Sequence, residues 1–252
     1  MHRIPVRIVV PMFDERQGVA NLCASLRDFA VAETEVRSLE LVLVDDGSND
    51  GTADAVREAI TGFPIPTQVR EHGRNLGLCA ALRTGSEDTP DGWAVVWLDA
   101  DLSYRPPLIG HLAAALDEGQ DLALSSCHHP DGELEGVPGW RRLLSRQASR
   151  VHGLASGRRL RTFTSMVRAQ RIEVLNASWP ERSGFAGITE QLLRALATGA
   201  KAIEVPATLH PRTTGRSKLR LGPVIRAHLG LAWAAYRAKR RGWPTLDASA
   251  ND

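Results

Sequence analysis

The chain has 252 residues, 43% of them hydrophobic, and a formal net charge of +2. This length predicts one large domain, or one domain with an appendage, and the apolar content excludes a generally disordered chain. No uncharged apolar run reaches the roughly 18 residues of a membrane-spanning helix, the N-terminal MHRIPVRIVVP does not resemble a signal peptide, and the three cysteines lack metal-binding spacing. We therefore expect a protein of the reduced cytosol.

The small net charge conceals a strong asymmetry between the two halves of the sequence. Residues 1–135 contain 10 Lys/Arg and 23 Asp/Glu, a net charge of −13, whereas residues 136–252 contain 21 Lys/Arg and 6 Asp/Glu, a net charge of +15. The acidic half suits metal and nucleotide binding, and the basic half suits an anionic partner such as phosphate groups, a membrane surface or nucleic acid. Alternatively, the two halves neutralise each other across an internal interface.

The first half of the chain alternates strand and helix patterns. The predicted strands are Val6–Pro11, Leu41–Val44, Thr67–Arg70, Trp93–Leu98 and Leu122–Ser125, and the predicted helices are Val19–Ala32, Thr52–Ile60, Leu78–Ser86 and Leu108–Glu118. This order predicts an α/β fold with a mainly parallel central sheet and helices on both faces. No GxGxxG follows the first strand, so the usual dinucleotide-binding fingerprint is absent.

The second half differs in composition, and its pattern predicts basic helices and long polar loops. A loop is predicted over residues 128–139 and a basic polar loop over residues 211–218. The predicted helices are Trp140–Ser156, Ile188–Thr198 and Pro223–Arg241, and one more strand is predicted at Ala202–Val205. The final residues are expected to be frayed.

Two acids, Asp99 and Asp101, follow the apolar strand that ends in Trp97 and Leu98. In an open α/β sheet the ligand site lies beyond the carboxyl ends of the strands. Carboxylates are rarely buried there without a partner, and Mg²⁺ and Mn²⁺ prefer oxygen ligands. The motif taken alone fits a metal site and a simple turn before a helix equally well.

Further candidate ligands follow the other predicted strands. Asp45 and Asp46 end the second strand, where Asn49 or Asp50 is expected to cap the next helix, and Asp14 and Glu15 follow the first strand. An acid at such a position is able to accept a hydrogen bond from a base or a ribose. The segment RNLG at residues 74–77 precedes a helix whose free N–H groups suit phosphate.

These segments, in this order, resemble family 2 glycosyltransferases of the GT-A fold, and within them the dolichyl-phosphate and polyprenyl-phosphate mannose and glucose synthases. The late residues Glu204, Val205, Pro206, Arg212, Gly215, Ser217 and Lys218 indicate the lipid-phosphate branch. The resemblance covers residues 5–220, and it rests on PMFDE, VDDGSNDGT, RNLGLCAAL, LDADLSYRPP, SGFAGITEQLLRA and IEVPATLHPRTTGRSKL.

The resemblance implies a role for each matching residue. Asp99, Asp101 and Ser103 would hold Mg²⁺ or Mn²⁺ against the diphosphate of a nucleotide sugar, while Arg212 and Lys218 would bind phosphates and close over the site. Arg146, Arg168 and Ser217 would bind the acceptor phosphate. The nucleotide-binding residues would be Pro11, Asp14, Glu15, Asp46, Asn75, Gly77, Asp99 and Ala100.

The resemblance also divides the chain. It implies a GT-A domain over residues 1–220, with a nucleotide- and metal-binding half at 1–135 and an acceptor half at 136–220. A C-terminal amphipathic helix at 221–243 and a tail at 244–252 would follow.

Three departures from the family pattern concern the sugar and the acceptor more than the reaction. Ser103 stands where mannose synthases usually have Gln, Leu78 stands where a lysine is common, and in TFTSMVR Thr162 replaces an acid and Met166 a glycine, while Arg168 remains. The implied reaction is inverting transfer of a hexose from a GDP- or UDP-sugar. A lipid phosphate needs no strong base, whereas a hydroxyl acceptor on a soluble metabolite or polysaccharide requires one, and Glu190 is the candidate.

The basic residues of the second half suggest a surface role as well. Arg142, Arg146 and Arg150 share one helix face, and the last helix combines Trp233 and Tyr236 with several basic residues. That combination suits either a membrane interface or ordinary packing on the sheet. We expect a cytoplasmic protein bound peripherally to the inner membrane face, with a small membrane subunit as a further candidate partner and no nucleic acid. A non-enzymatic anion-binding module is the remaining alternative.

Overall fold

The structure of the chain, a computed structural model, describes residues 3–137, 139–211 and 221–242. Its strands are β1 (Val6–Met12), β2 (Leu39–Asp45), β3 (Thr67–Glu71), β4 (Ala94–Trp97), β5 (Leu122–Ser126), β6 (Glu133–Leu134), β7 (Arg168–Arg171), β8 (Ala202–Pro206) and β9 (Thr208–Leu209). Its helices are α1 (Val19–Glu33), α2 (Thr52–Ala59), α3 (Leu78–Ser86), α4 (Pro107–Asp117), α5 (Gly139–Ser156), α6 (Ile172–Asn176), α7 (Gly184–Ala197) and α8 (Leu221–Arg240).

Seven strands form the central sheet in the order β3-β2-β1-β4-β7-β5-β8. Only β7 runs antiparallel among the described pairings, and it pairs with β4 on one side and β5 on the other. The predicted α/β architecture with a mainly parallel sheet is confirmed. The short strands β6 and β9 pair in parallel to form a separate ribbon, so the predicted loop over residues 128–139 contains a strand.

Both faces of the sheet are covered because side chains alternate along each strand. On β1, Ile8 and Val10 pack in the cluster that includes residues of α1 and α4, whereas Val9 points to the opposite face and packs against residues of α3 and α7. On β7 the alternating residues of one face are polar. They are Arg168 and Gln170, and both are fully buried. A strand of sequence RAQR has no apolar pattern, and the sequence therefore did not predict it.

Helices α5 and α8 pack together beside β5 and α7, and their contact contains a pair of histidines. Leu231 and Ala235 of α8 belong to the cluster that also contains Leu122 and Leu124 of β5. His152 of α5 is fully buried, its Nε2 lies 3.0 Å from Nδ1 of His228, and its own Nδ1 has no partner among the described residues. Burial, followed by the nearby His228, lowers the pKa of His152 to about 4.

This buried histidine makes a pH-dependent contribution to stability. Its pKa is lower in the folded protein than its ordinary value of 6.5, so the unfolded state binds more protons between these two values and stability is lost as the pH falls from about 6.5 to about 4. The full shift corresponds to a loss on the order of 3 kcal/mol. In urea unfolding at pH 7 and pH 4.5, we expect His152→Gln to show a smaller decrease in free energy of unfolding than wild type. An equal decrease in both proteins would assign the acid sensitivity to other groups.

No helix in the described ranges has both the length and the apolar content needed to cross a bilayer.

Candidate active site

Three neighbouring parallel strands, β1, β2 and β4, deliver the predicted acids to the same edge of the sheet. The loops after β1 and β2 are joined by hydrogen bonds from Asp46 N to Met12 O (2.8 Å) and from Asp14 N to the Ser48 hydroxyl (2.9 Å). Leu98, directly after β4, donates to Val9 O of β1 (3.0 Å). The structure therefore gathers Asp14, Glu15, Asp46, Asp99 and Asp101 at the carboxyl edge, as the sequence predicts.

The loop after β1 places an exposed carboxylate on this edge. Asp14 adopts a φ of 54°, an uncommon conformation for a residue with a side chain, and its Oδ1 accepts a hydrogen bond from Asn49 N (3.4 Å). Glu15 N donates to the Thr52 hydroxyl (2.9 Å). Pro11 lies partly buried in β1, just before this loop. The positions expected to contact a nucleoside are thus held by the loop that follows β2.

The N-cap position of α2 is Gly51 instead of the predicted Asn49 or Asp50, but Asp50 still accepts hydrogen bonds at the start of the helix. Its carboxylate accepts hydrogen bonds from the backbone N–H of Thr52 (3.0 Å) and of Arg16 (3.2 Å), and from the Thr52 hydroxyl (2.6 Å). Burial raises the pKa of Asp50, but these hydrogen bonds outweigh it and leave the pKa below its usual range. Asp50 is therefore a structural acid that joins two loops of the edge.

Asp46 anchors the loop that contains Asn75 and Gly77. Its buried carboxylate accepts hydrogen bonds from Leu76 N and Gly77 N, both at 2.8 Å, and lies 2.7 Å from His72 Nδ1. In this geometry Asp46 shapes the site by holding a neighbouring loop, and direct contact with a base stays a prediction. Asn75 is exposed at the tip of that loop.

Gly47 is required where these two loops meet. It has a φ of +75°, and a Cβ on this residue would lie 2.3 Å from the backbone carbon of Arg74. A side chain would therefore push the loops apart.

The metal motif forms a tight turn directly after β4. Asp101 is buried, its Oδ1 accepts a hydrogen bond from Ser103 N (3.0 Å), and Leu102 between them has a φ of 55°. Asp99 is partly buried and Ala100 is buried beside it. Ser103 O accepts a hydrogen bond from His210 N (2.9 Å). The turn therefore lies against the residue that precedes the predicted basic loop at 211–218, which we call the basic segment.

The two carboxylates of this turn are the predicted cation ligands. Among the residues that the structure describes, no group of three or more His, Cys, Asp or Glu residues is arranged to hold a metal. Two carboxylates nevertheless fit Mg²⁺ or Mn²⁺, because Mg²⁺ is commonly bound by one or two carboxylates together with substrate phosphates. Coordination by the Ser103 hydroxyl stays a prediction. Arg212, Ser217 and Lys218 lie outside the described residues.

A polar cluster lies at the end of β5, in the predicted acceptor half. His128 Nε2 is 3.2 Å from the Ser145 hydroxyl of α5, whereas His128 Nδ1 and Glu204 Oε1 are buried without a partner in the described ranges. Burial lowers the pKa of His128, and the positive charge of Arg146 lowers it further. Arg146 therefore lies close to this strand end. His128 is not among the residues predicted for the site, although a histidine close behind a strand follows the same rule as the acids.

The surroundings of Arg168 fit a structural role better than the predicted role in binding the acceptor phosphate, which stays a prediction. The side chain lies in β7 and is fully buried, where its guanidinium donates to Gln191 Oε1 (2.9 Å), to Ile188 O (3.2 Å) and to Ser165 O. Burial lowers its pKa to about 9. Arg168 holds together β7, α7 and the preceding loop.

Glu190 is also embedded in protein contacts. It lies in α7 and is 2% exposed, and its Oε2 accepts a hydrogen bond from Arg182 N (2.8 Å) while its Oε1 accepts one from Arg194 Nε (3.0 Å). Both carboxylate oxygens of Glu190 therefore already have protein donors as partners. The geometry fits a structural role for Glu190 better than proton abstraction from a hydroxyl acceptor.

The family assignment follows from sequence comparison. The sequence profile of Glycosyl transferase family 2 matches residues 7–176, which include β1 to β7 and the acidic edge. The chain belongs to this family. It is therefore an enzyme, and the alternative of a non-enzymatic anion-binding module is wrong.

Named relatives of this glycosyltransferase act on lipid phosphates. It is 30% identical over 218 residues to polyprenol monophosphomannose synthase of Mycolicibacterium smegmatis, covering 84% of this chain and 80% of the relative. It is 28% identical to undecaprenyl-phosphate mannosyltransferase of Micrococcus luteus, covering 93% and 98%. It is 30% identical to dolichol-phosphate mannosyltransferase of Pyrococcus furiosus, covering 85% of this chain but only 59% of that protein.

Solved structures identify the fold as GT-A. Glucosyl-3-phosphoglycerate synthase from Mycobacterium tuberculosis, crystallised with Mn²⁺, UDP-glucose and phosphoglyceric acid, superposes with a TM-score of 0.64 at 19% identity, covering 96% of this chain and 81% of that one. The predicted GT-A fold is thereby confirmed.

Proposed function

We propose that this glycosyltransferase transfers a hexose from a nucleotide sugar to a polyprenyl phosphate, with inversion at the anomeric carbon and with the help of a divalent cation. The observation that carries the proposal is the acidic edge, where Asp99 and Asp101 lie beside the loops after β1 and β2 and against the start of the basic segment. The mannosyltransferase relatives from Mycolicibacterium and Micrococcus support the lipid-phosphate acceptor.

The donor would bind along the carboxyl edge of the sheet. The exposed Asp14 and Asn75 are proposed to contact the nucleoside, and Asp46 fixes the loop that carries Asn75. A Mg²⁺ or Mn²⁺ held by Asp99 and Asp101 would neutralise charge on the departing nucleoside diphosphate. Arg212 and Lys218 would add positive charge from the basic segment, because catalysis gains most where charge develops in the transition state.

The acceptor phosphate would bind in the second half of the chain, near the end of β5. Arg146 lies close to His128 there, and Ser217 would contribute from the basic segment. A phosphate acceptor is already anionic at neutral pH, so it attacks without giving up a proton to a strong base. Because Arg168 is fully buried, Arg146 is proposed to hold the phosphate.

The donor is tested by thermal-shift measurements on GDP- and UDP-sugars, with and without Mn²⁺. Because a ligand that binds only the folded state raises the unfolding temperature, the true donor is expected to stabilise the protein more in the presence of Mn²⁺. Transfer of that sugar to a polyprenyl phosphate, followed by lipid extraction, then tests the acceptor. Transfer to a soluble hydroxyl compound, with none to the lipid, would contradict the proposal.

The acceptor class is tested independently at Glu190. Loss of a general base lowers a rate by about 10²- to 10⁴-fold, whereas a carboxylate with a structural role contributes mainly to stability. We therefore expect Glu190→Gln to reduce kcat for lipid-phosphate transfer less than about tenfold, with a flat pH profile between pH 6 and pH 8. Glu190→Ala serves as the comparison, because it removes both hydrogen-bonding oxygens. A drop of a hundredfold or more in Glu190→Gln, with unchanged folding, would favour a hydroxyl acceptor.

A further inference from the structure

Helices α5 and α8 expose large apolar side chains on their outer surfaces. On α5 these include Trp140, Leu143 and Leu154, and on α8 they include Leu229, Trp233 and Tyr236; we call these six residues the α5–α8 face. Leu154 is 80% exposed and Trp233 is 60% exposed. Side chains of this size are rarely left in water together unless a partner covers them.

The exposed apolar residues lie on one side of each helix. Residues 229, 233 and 236 follow the i, i+4, i+7 spacing of a single helix stripe, and residues 140, 143 and 154 also share one side of α5. The core-facing side of α8 is separate, because Leu231 and Ala235 are buried against β5 and α7. Helix α8 therefore has two apolar sides, one in the core and one in solvent.

Charge indicates what would cover these surfaces. The sequences of α5 and α8 contain no Asp or Glu, and each contains four basic residues, which are Arg141, Arg142, Arg146 and Arg150 in α5 and Arg226, Arg237, Lys239 and Arg240 in α8. Trp233 and Tyr236 also stack on each other, with ring centroids 5.7 Å apart. Exposed Trp, Tyr and Leu side chains among cations, with no anions, match the interfacial region of a bilayer with anionic lipids.

We propose that the α5–α8 face docks the protein onto an anionic membrane surface. The six apolar side chains of the face lie at the level of the headgroups, and the Arg and Lys residues of α5 and α8 bind lipid phosphates. The inference goes beyond the proposed function, because binding to a bilayer requires neither donor nor acceptor. It also connects to it, since α5 carries Arg146 and contacts the strand end at His128. Docking through α5 brings the acceptor half to the surface in which a polyprenyl phosphate is embedded.

The test is cosedimentation of the purified full chain with vesicles that contain no polyprenyl phosphate. We expect binding to vesicles of phosphatidylcholine mixed with phosphatidylglycerol, weaker binding to phosphatidylcholine alone, and loss of binding at high salt. Leu154→Glu and Trp233→Glu are each expected to reduce the bound fraction about tenfold. Val31→Glu is the matched control, since Val31 is 60% exposed but lies on α1, and it is expected to bind like wild type.

Circular dichroism and transfer to a short-chain, water-soluble prenyl phosphate show that each variant is folded and active. Equal vesicle binding by wild type, Leu154→Glu and Trp233→Glu would overturn the proposal, as would absence of binding by wild type. A further outcome is that the wild type dimerises without binding vesicles and that Trp233→Glu abolishes the dimer. That result would overturn membrane docking and assign the face to a second copy of the chain. If sugar transfer to polyprenyl phosphate is not observed, vesicle binding is still expected. Failure of the proposed function and failure of membrane docking are therefore distinguishable.

Discussion

Asp101→Asn is expected to reduce the rate of sugar transfer about a thousandfold, because removal of a ligand to the cation removes several kcal/mol of stabilisation from the charge that develops on the leaving diphosphate. The amide oxygen of Asn is able to accept the hydrogen bond that Ser103 N donates to Asp101, so the turn should be preserved. The rate is measured by transfer of labelled hexose to polyprenyl phosphate over a range of Mn²⁺ concentrations.

Asp88→Asn is the matched control for this substitution. Asp88 is likewise an acid close to β4, but its side chain is 89% exposed and it lies before β4 instead of after it. Its transfer rate should equal that of wild type. The variant Asp101→Asn should also lose the Mn²⁺-dependent part of the thermal shift caused by the donor. Metal-dependent transfer at the wild-type rate in Asp101→Asn would remove Asp101 from the metal site.

Arg168→Met is expected to lower the free energy of unfolding by about 3 kcal/mol or more, because it leaves buried oxygens of Gln191, Ile188 and Ser165 without their donor. For a chain of this size such a loss corresponds to a fall in Tm of roughly 10 °C. The measurement is urea unfolding followed by circular dichroism. If Arg168 instead bound the acceptor phosphate, the main effect would be a higher KM for the lipid.

Arg83→Met provides the comparison. Arg168 lies over the buried ring of Trp97, 5.8 Å from its centre, whereas Arg83 lies over a tryptophan ring at the surface. Its guanidinium lies 4.8 Å from the ring centre of Trp179, and the residue is exposed. An exposed contact of this type contributes about 1 kcal/mol or less, so Arg83→Met should unfold close to wild type. Unchanged stability in Arg168→Met, together with a tenfold higher KM for the acceptor, would restore the phosphate-binding role.

The alternating half of the fold was predictable because its strands are short apolar runs between turn residues. The helix at Leu78–Ser86 and the clustering of Asp14, Asp46 and Asp101 at one edge follow from hydrophobic patterning and from the rule that ligands bind beyond the carboxyl ends of parallel strands. These features depend on local sequence. The predicted ends of most helices and strands lie within one or two residues of the ends in the structure.

The sequence was least informative where long-range contacts determine the surroundings of a polar residue. Arg168 and Glu190 both carry charges that suit a phosphate site, but tertiary packing buries them and supplies their hydrogen-bond partners. No local pattern distinguishes such residues from ligands. The same reason explains why β7 was missed, since Arg168 and Gln170 are buried by strands that lie far from them in sequence.

The position of β7 also constrains the order in which the protein is able to fold. Residues 168–171 form the antiparallel strand between β4 and β5, both of which belong to the first 126 residues. As the chain leaves the ribosome, the acidic half therefore has strand edges at β4 and β5 with unpaired N–H and C=O groups. The gap between β4 and β5 is filled only when residue 171 has emerged, and the other side of β5 is paired only when β8 has emerged as well. A fragment that ends at residue 135 would therefore leave β5 without either of its partner strands and β4 with one exposed edge.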